Sequence, residues 1–178
     1  MKKVFIATLA FMALSTYSVS AQTSEINQRI KNERGVLLIG QQNMEPFNKK
    51  PFKAWYDEEY TPYIVDQPSI KKLEKENISS YDITIFIGSW CPDSHREFPR
   101  FIKILQELKY PVDKVQIFAL DRQKKSPHED EKVYNVTHVP TFIIKKDGKE
   151  IGRITEAPET GFLEKDLLNI INKAKSSS

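Results

Sequence analysis

At 178 residues, 39% hydrophobic and 29% charged, the chain suits one folded domain and leaves little room for two. Its formal net charge is +3, and its Lys, Arg, Asp and Glu residues are interspersed rather than blocked. That pattern excludes a basic nucleic-acid stripe and an acidic tail.

Residues 1–21 read as a signal peptide. Lys2 and Lys3 precede an apolar run from Val4 to Leu14, and Val19 and Ala21 take the small-residue positions of a cleavage site. The run is too short to cross a bilayer, which takes about 20 residues, and no cysteine follows it to carry a lipid. The expectation is an exported chain, periplasmic or secreted, with no membrane anchor once the signal is removed. Loss of Lys2 and Lys3 lowers the net charge by two, to +1.

Residues 22–34 are polar and read as a flexible N-terminus. Gly35 to Gly40 reads as a short buried strand. It opens an N-terminal extension, residues 35–81, expected to pack on the core. Within the extension stand Phe47, Phe52, Trp55, Tyr56, Tyr60 and Tyr63, broken by Pro46, Pro51 and Pro62. With no clean period, this stretch reads as an irregular structural cover rather than a ligand box. Pro68-Ser69 then opens a short helix with Ile70 and Leu73 on one face.

The regular part spans residues 82–175. Ile83 to Ile87 is almost continuously apolar and β-branched, as expected of a strand covered on both faces. A helix follows from Asp93 to Lys109, with Phe98, Phe101, Ile102, Leu105 and Leu108 at three- and four-residue steps and Pro99 inside it, where a kink is expected. Val115 to Leu120 is a second buried strand, completing a βαβ unit. A polar span, 121–132, shows no clear helix. Thr141 to Ile144 and Glu150 to Ile154 flank Lys146-Asp147-Gly148-Lys149, a hairpin with Asp-Gly turn chemistry. The last helix, 159–173, aligns Leu163, Leu167, Ile170, Ile171 and Ala174. The fold class is α/β, a central mixed β-sheet flanked by helices.

Cys91 is the one cysteine, so no internal disulfide can form. It sits where a buried strand ends and a helix begins, and the unpaired N–H groups of that helix favour an anion there. Thiolate is the reactive form of cysteine. Pro92 suits the first helical turn, while the Asp93 carboxylate opposes a second negative charge nearby. The residues alone leave open a cysteine that is only a small buried hydrophobe. A catalytic role needs the sulfur exposed, ionised and opposite a kinked loop.

Ile87-Gly-Ser-Trp-Cys-Pro-Asp-Ser94 resembles the active-site stretch of the thioredoxin superfamily, a hydrophobic strand followed by Trp-Cys-x-x-Cys at a helix start. Pro99 matches the family's helix proline, Val139-Pro140-Thr141 its cis-proline loop, and Phe142 to Gly152 the hairpin after that loop. The resemblance implies a thioredoxin-like fold and thiol–disulfide exchange through Cys91. It also implies a groove in which Trp90, Val139, Pro140 and Thr141 bind an extended substrate. Two departures stand out: Ser94 occupies the place of the resolving cysteine, and Ile85 that of a buried acidic residue. With one sulfur, Cys91 can form a mixed disulfide but needs an external thiol to resolve it. Isomerase-like shuffling or monothiol reduction remains, with Ser94 able to hydrogen-bond the thiolate.

Asp93, His95 and His138 are candidate modulators: His95 lies one helical turn after Cys91, and His138 could flank the groove. His128 looks incidental. The spacings support no metal site, no cofactor is implied, and a Cys–His hydrolase would lack its third group. Gly88 stands where a peroxiredoxin places threonine. The expected partners are a protein or a low-molecular-weight thiol or disulfide, and a disulfide-linked homodimer stays open. So does a non-enzymatic binding module that uses the same groove around a vestigial cysteine.

Overall fold

The computed structural model describes residues 25–176; the signal-peptide reading of residues 1–21 falls outside them. In chain order the first elements are β1 (Arg29–Asn32), β2 (Gly35–Leu38), β3 (Gly40–Gln42), α1 (Lys53–Tyr60) and α2 (Gln67–Leu73). Next come β4 (Tyr81–Ile87), α3 (Pro92–Glu107), β5 (Gln116–Ala119) and α4 (Asp130–Val133). The chain ends with β6 (Thr141–Lys146), β7 (Lys149–Thr155) and α5 (Leu163–Ser176). The main sheet has the order β3-β5-β4-β6-β7. β4 is central, parallel to β5 and antiparallel to β6, which pairs with β7 across the hairpin.

β4 is apolar because both of its faces are covered. Ile83, Ile85 and Ile87 point to the side of α3 and α5, where Phe98, Phe101, Ile102, Leu105, Leu163, Leu167 and Ile171 complete the larger core. The Phe101 and Phe142 rings lie 4.5 Å apart there. On the other face Phe86 stacks on Phe118 at 5.1 Å, and Leu120, Val136, Val139, Ile143 and Cys91 complete a smaller cluster. Its cover is the 121–140 connection, in which α4 is a single turn and Tyr134 packs over Phe86 at 5.4 Å. Pro99 lies buried within α3, which runs through it; its missing N–H leaves the His95 carbonyl without its usual helical donor.

The N-terminal segment departs from the sequence reading in three places. Residues 29–32, assigned there to a flexible start, pair with β2 as an antiparallel hairpin. The single strand expected over 35–40 is two, divided at Ile39, and Gly40 takes a left-handed φ of 71° that turns β3 onto the edge of the main sheet beside β5. The aromatic stretch expected to be irregular contains α1. Phe52, Trp55, Tyr56, Tyr60 and Tyr63 recur at three- and four-residue steps, so the pattern is helical once Phe47 is set aside. α1 lies along α3: Tyr56 packs on Phe98 at 6.0 Å, Arg100 pairs with Glu59 at 2.6 Å, and Tyr60 and Gln106 share a hydrogen bond.

α5 starts four residues later than expected. The Asp166 carboxylate accepts the N–H groups of Glu159 at 2.7 Å and Thr160 at 3.1 Å, which holds 159–162 as a turn before the helix. No helix among the described residues is long and apolar enough to cross a membrane.

Candidate active site at the start of α3

Four residues, Gly88 to Cys91, carry the chain from the end of β4 into α3. The Cys91 N–H donates to the Gly88 carbonyl at 2.8 Å and the Cys91 carbonyl accepts from the His95 N–H at 3.0 Å, so Cys91 is the N-cap of α3, in extended conformation. The turn is tight at Gly88. A Cβ there would lie 2.8 Å from Trp90 Cε2 and 3.2 Å from Cys91 Cβ, so the indole and the cysteine occupy the space any other residue would need. Trp90 is half-buried; its Nε1–H donates to the Leu120 carbonyl at 2.9 Å, and the Arg122 guanidinium sits 5.5 Å from its ring.

The sulfur faces the Val139–Pro140 loop. Sγ donates to the Val139 carbonyl at 3.3 Å, and the Val139–Pro140 peptide bond is cis. A carbonyl oxygen only accepts, so this contact is one that the protonated thiol makes. The exposed sulfur expected from sequence is corrected. Cys91 is 7% exposed, in one cluster with Phe118 and Leu120 from the β5 region and with Val136 and Val139 of the 121–140 connection that covers it. It is nonetheless directly opposite the loop before Pro140. Thr141 Oγ1 donates to the His138 carbonyl at 2.8 Å and closes that loop, while the Val139 N–H takes no partner among the described residues.

The other predicted residues distribute unevenly. Pro92 is exposed at the first helical position. Ser94 is fully buried, and its hydroxyl accepts the Gly88 N–H at 3.0 Å. It braces the turn and does not bond the sulfur as expected. Asp93 pairs with Arg96 at 2.7 Å, so its charge is partly neutralised locally. His95 does not approach the sulfur either: Nε2 lies 2.9 Å from the Ser89 carbonyl, and the ring stacks on Trp55 at 4.3 Å and 9°. His138 is exposed, with Nδ1 2.9 Å from Thr137 Oγ1. Ile85 is fully buried in the larger core.

Sequence reasoning missed Gly88, Ser89, Leu38 and Trp55. Ser89 is held on two sides, its hydroxyl accepting the Leu38 N–H at 3.0 Å and its carbonyl facing His95. A glycine closing an apolar strand was a usable signal for close approach. The pairing of Leu38 with Ser89, 51 residues apart, had none. No group of three or more His, Cys, Asp or Glu side chains that could hold a metal ion occurs among the described residues.

A family model described as Thioredoxin matches residues 70–169, more than half of the chain. The chain belongs to the thioredoxin family. Its central mixed sheet flanked by helices is the thioredoxin-like fold. The thioredoxin of Chlamydia pneumoniae is 28% identical over 109 residues, covering 58% of this chain and 97% of that one. The X-ray structure of Fasciola hepatica thioredoxin is 28% identical with a TM-score of 0.39, over 58% of this chain and 90% of that one. Mitochondrial thioredoxin 3 of Saccharomyces cerevisiae, in its oxidised form, is 27% identical with a TM-score of 0.38, over 62% and 98%. The thioredoxin match begins at Ile70 and so takes in part of α2, which the sequence reading placed in the extension. Leu38 and Trp55 lie before it.

Proposed function

We propose that this chain is an exported thiol–disulfide exchange protein, periplasmic or secreted, that works through Cys91 alone. The observation that carries the reading is the placement of the sulfur at the N-cap of α3, 3.3 Å from the carbonyl of Val139 beside Pro140, in a thioredoxin-family domain. A substrate strand laid along this loop would pair with the unpartnered Val139 N–H, in the manner of an added β-strand, with Trp90 and Thr141 at its flanks. The disulfide of the substrate would then stand over the sulfur.

The exchange balances without a cofactor. Cys91 gives up its proton and attacks one sulfur of a disulfide R–S–S–R′; the Cys91–S–S–R bond forms as the S–S bond of the substrate breaks, and R′–S⁻ leaves and takes the proton. The helix N-terminus stabilises the sulfur while it carries negative charge. Ser94 cannot attack the mixed disulfide, so a second thiol, from the substrate or from a small external thiol, releases Cys91 and leaves as the new disulfide. When the substrate supplies that thiol the net result is isomerisation; when an external thiol R″–SH supplies it, R–S–S–R″ leaves, and a second external thiol displaces R–S⁻ to complete reduction with R″–S–S–R″ as the product.

The test is intact-mass measurement of the reduced protein incubated with glutathione disulfide and with a protein of scrambled disulfides. The expected outcome is a one-to-one mixed disulfide that persists until thiol is added and is absent in Cys91→Ala. The burial of Cys91 favours a second reading, a peptide-binding module in which the sulfur is vestigial. A native protein that resists every disulfide, yet reacts once unfolded, supports that reading and overturns the first.

A further inference from the structure

We infer that the N-terminal segment, through Leu38 and Trp55, is a clamp that aims Cys91, and that His95 is a positioning residue within it; the inference rests on the reading of Cys91 as the reacting sulfur. Ser89 precedes Cys91 by two residues and is 7% exposed. Its hydroxyl accepts the Leu38 N–H of β2 at 3.0 Å. Its carbonyl meets His95 Nε2 at 2.9 Å, and because a carbonyl has no proton to give, Nε2 is the donor. The imidazole is fixed in turn by Trp55 of α1, stacked at 4.3 Å and 9°.

Trp55 is itself held from behind. Its ring stands edge-on to Phe47 at 5.8 Å, and Phe47 packs on Phe98 of α3 at 4.8 Å. One residue at the entrance to the site is therefore gripped on two polar atoms, by Leu38 of β2 and by His95 of α3, whose ring Trp55 of α1 holds; Leu38 and Trp55 both lie outside residues 70–169. Fixing Ser89 fixes the direction in which Trp90 and Cys91 leave β4. That direction decides whether the sulfur meets the Val139 carbonyl and anything laid beside it. Exchange requires three sulfurs nearly in line, so small errors in aim translate into large losses of rate. On this account the extension is more than a cover for apolar surface, and the thioredoxin-family part of the chain depends on it for an aligned nucleophile.

The experiment compares wild type, His95→Ala and His95→Gln, whose amide can place an N–H on the same carbonyl. Two readouts are taken on the full folded protein: the rate of mixed-disulfide formation with glutathione disulfide, and amide hydrogen exchange at Cys91 with β4 as the internal control. The expected result is a loss of about tenfold in rate for H95A, recovery by H95Q to within about twofold, and faster exchange at Cys91 in H95A with β4 unchanged. With a reactive wild type, an unchanged H95A rate overturns the inference, as does failure of H95Q to restore it. If the wild-type sulfur reacts with no disulfide, the functional reading falls separately and exchange alone decides the clamp. Faster exchange at Cys91 in H95A, reversed in H95Q, then sustains it, and equal exchange in wild type and H95A overturns it.

Discussion

Ser94 accepts the Gly88 N–H on its hydroxyl oxygen at 3.0 Å, so the residue in the place of a resolving cysteine serves to close the turn that precedes Cys91. This relationship makes the effect of Ser94→Cys readable. The new thiol would stand three residues after Cys91, in the spacing that closes an internal disulfide in dithiol proteins. Oxidised S94C is expected to lose two hydrogen atoms in mass and to release its mixed disulfides unaided. Sulfur is also a poorer acceptor for the Gly88 N–H, and the folded state should weaken by about 1 kcal/mol. Mass spectrometry of oxidised protein and denaturant titration of the reduced form check both parts.

Gly88 should tolerate no side chain. A Cβ 2.8 Å from Trp90 Cε2 and 3.0 Å from Trp90 Nε1 would push the indole off the Leu120 carbonyl. Gly88→Ala is expected to destabilise by about 1–3 kcal/mol, the usual range for overpacking. The displaced indole would show as a shift in tryptophan emission that Trp90→Phe removes.

The 121–140 connection should be acid-sensitive. Glu131 is 2% exposed; burial works to raise its carboxyl, but hydrogen bonds from the Ser126 hydroxyl and N–H, with Lys125 nearby, outweigh this and hold it below the ordinary value of 4.5. A carboxyl depressed by folding contributes stability that is complete above the unfolded value and is lost as pH falls through the folded one. Unfolding free energy is therefore expected to fall as the pH drops below about 4.5. Glu131→Gln should be less stable at neutral pH and show a shallower acid decline, measured by denaturant titration across pH.

The Tyr63–Glu164 contact should help tie the extension to α5. Tyr63 Oη donates to both carboxylate oxygens of the fully buried Glu164, at 3.0 and 2.9 Å. Burial, and then the Glu164 carboxylate, push the Tyr63 phenol well above its ordinary range, so it stays a donor. Tyr63→Phe leaves Glu164 with the Asp66 N–H at 3.0 Å. The expected cost is about 1.5–3 kcal/mol, as for other hydrogen bonds to a charged group, read from a thermal or denaturant unfolding curve.

Legibility in the sequence followed the reach of each interaction. β4 and α3 were plain because their apolar residues repeat along the chain with the period of the element itself. α1 was hidden although its period is present: Phe47 belongs to a separate turn, and the prolines at 46, 51 and 62 drew attention from the steps between Phe52 and Tyr63. The 121–132 span has no period to find, since it is held by local polar contacts, Asp121 accepting the Gln123 and Lys125 N–H groups at 2.8 and 2.9 Å. His95 was placed one turn from Cys91 correctly, but helical spacing says nothing of where a ring turns when Trp55 lies beside it.

By itself the sequence determined a mixed α/β chain with one sulfur at a strand-to-helix junction, since periodicity, turn residues and a residue count are properties of the chain read locally. Only the tertiary structure decided that this sulfur is covered, that it meets Val139, and that Ser89 is gripped by Leu38 and His95. Those contacts join residues far apart in the chain, and their partners are selected by how the sheet, the connection over it and the N-terminal segment pack together.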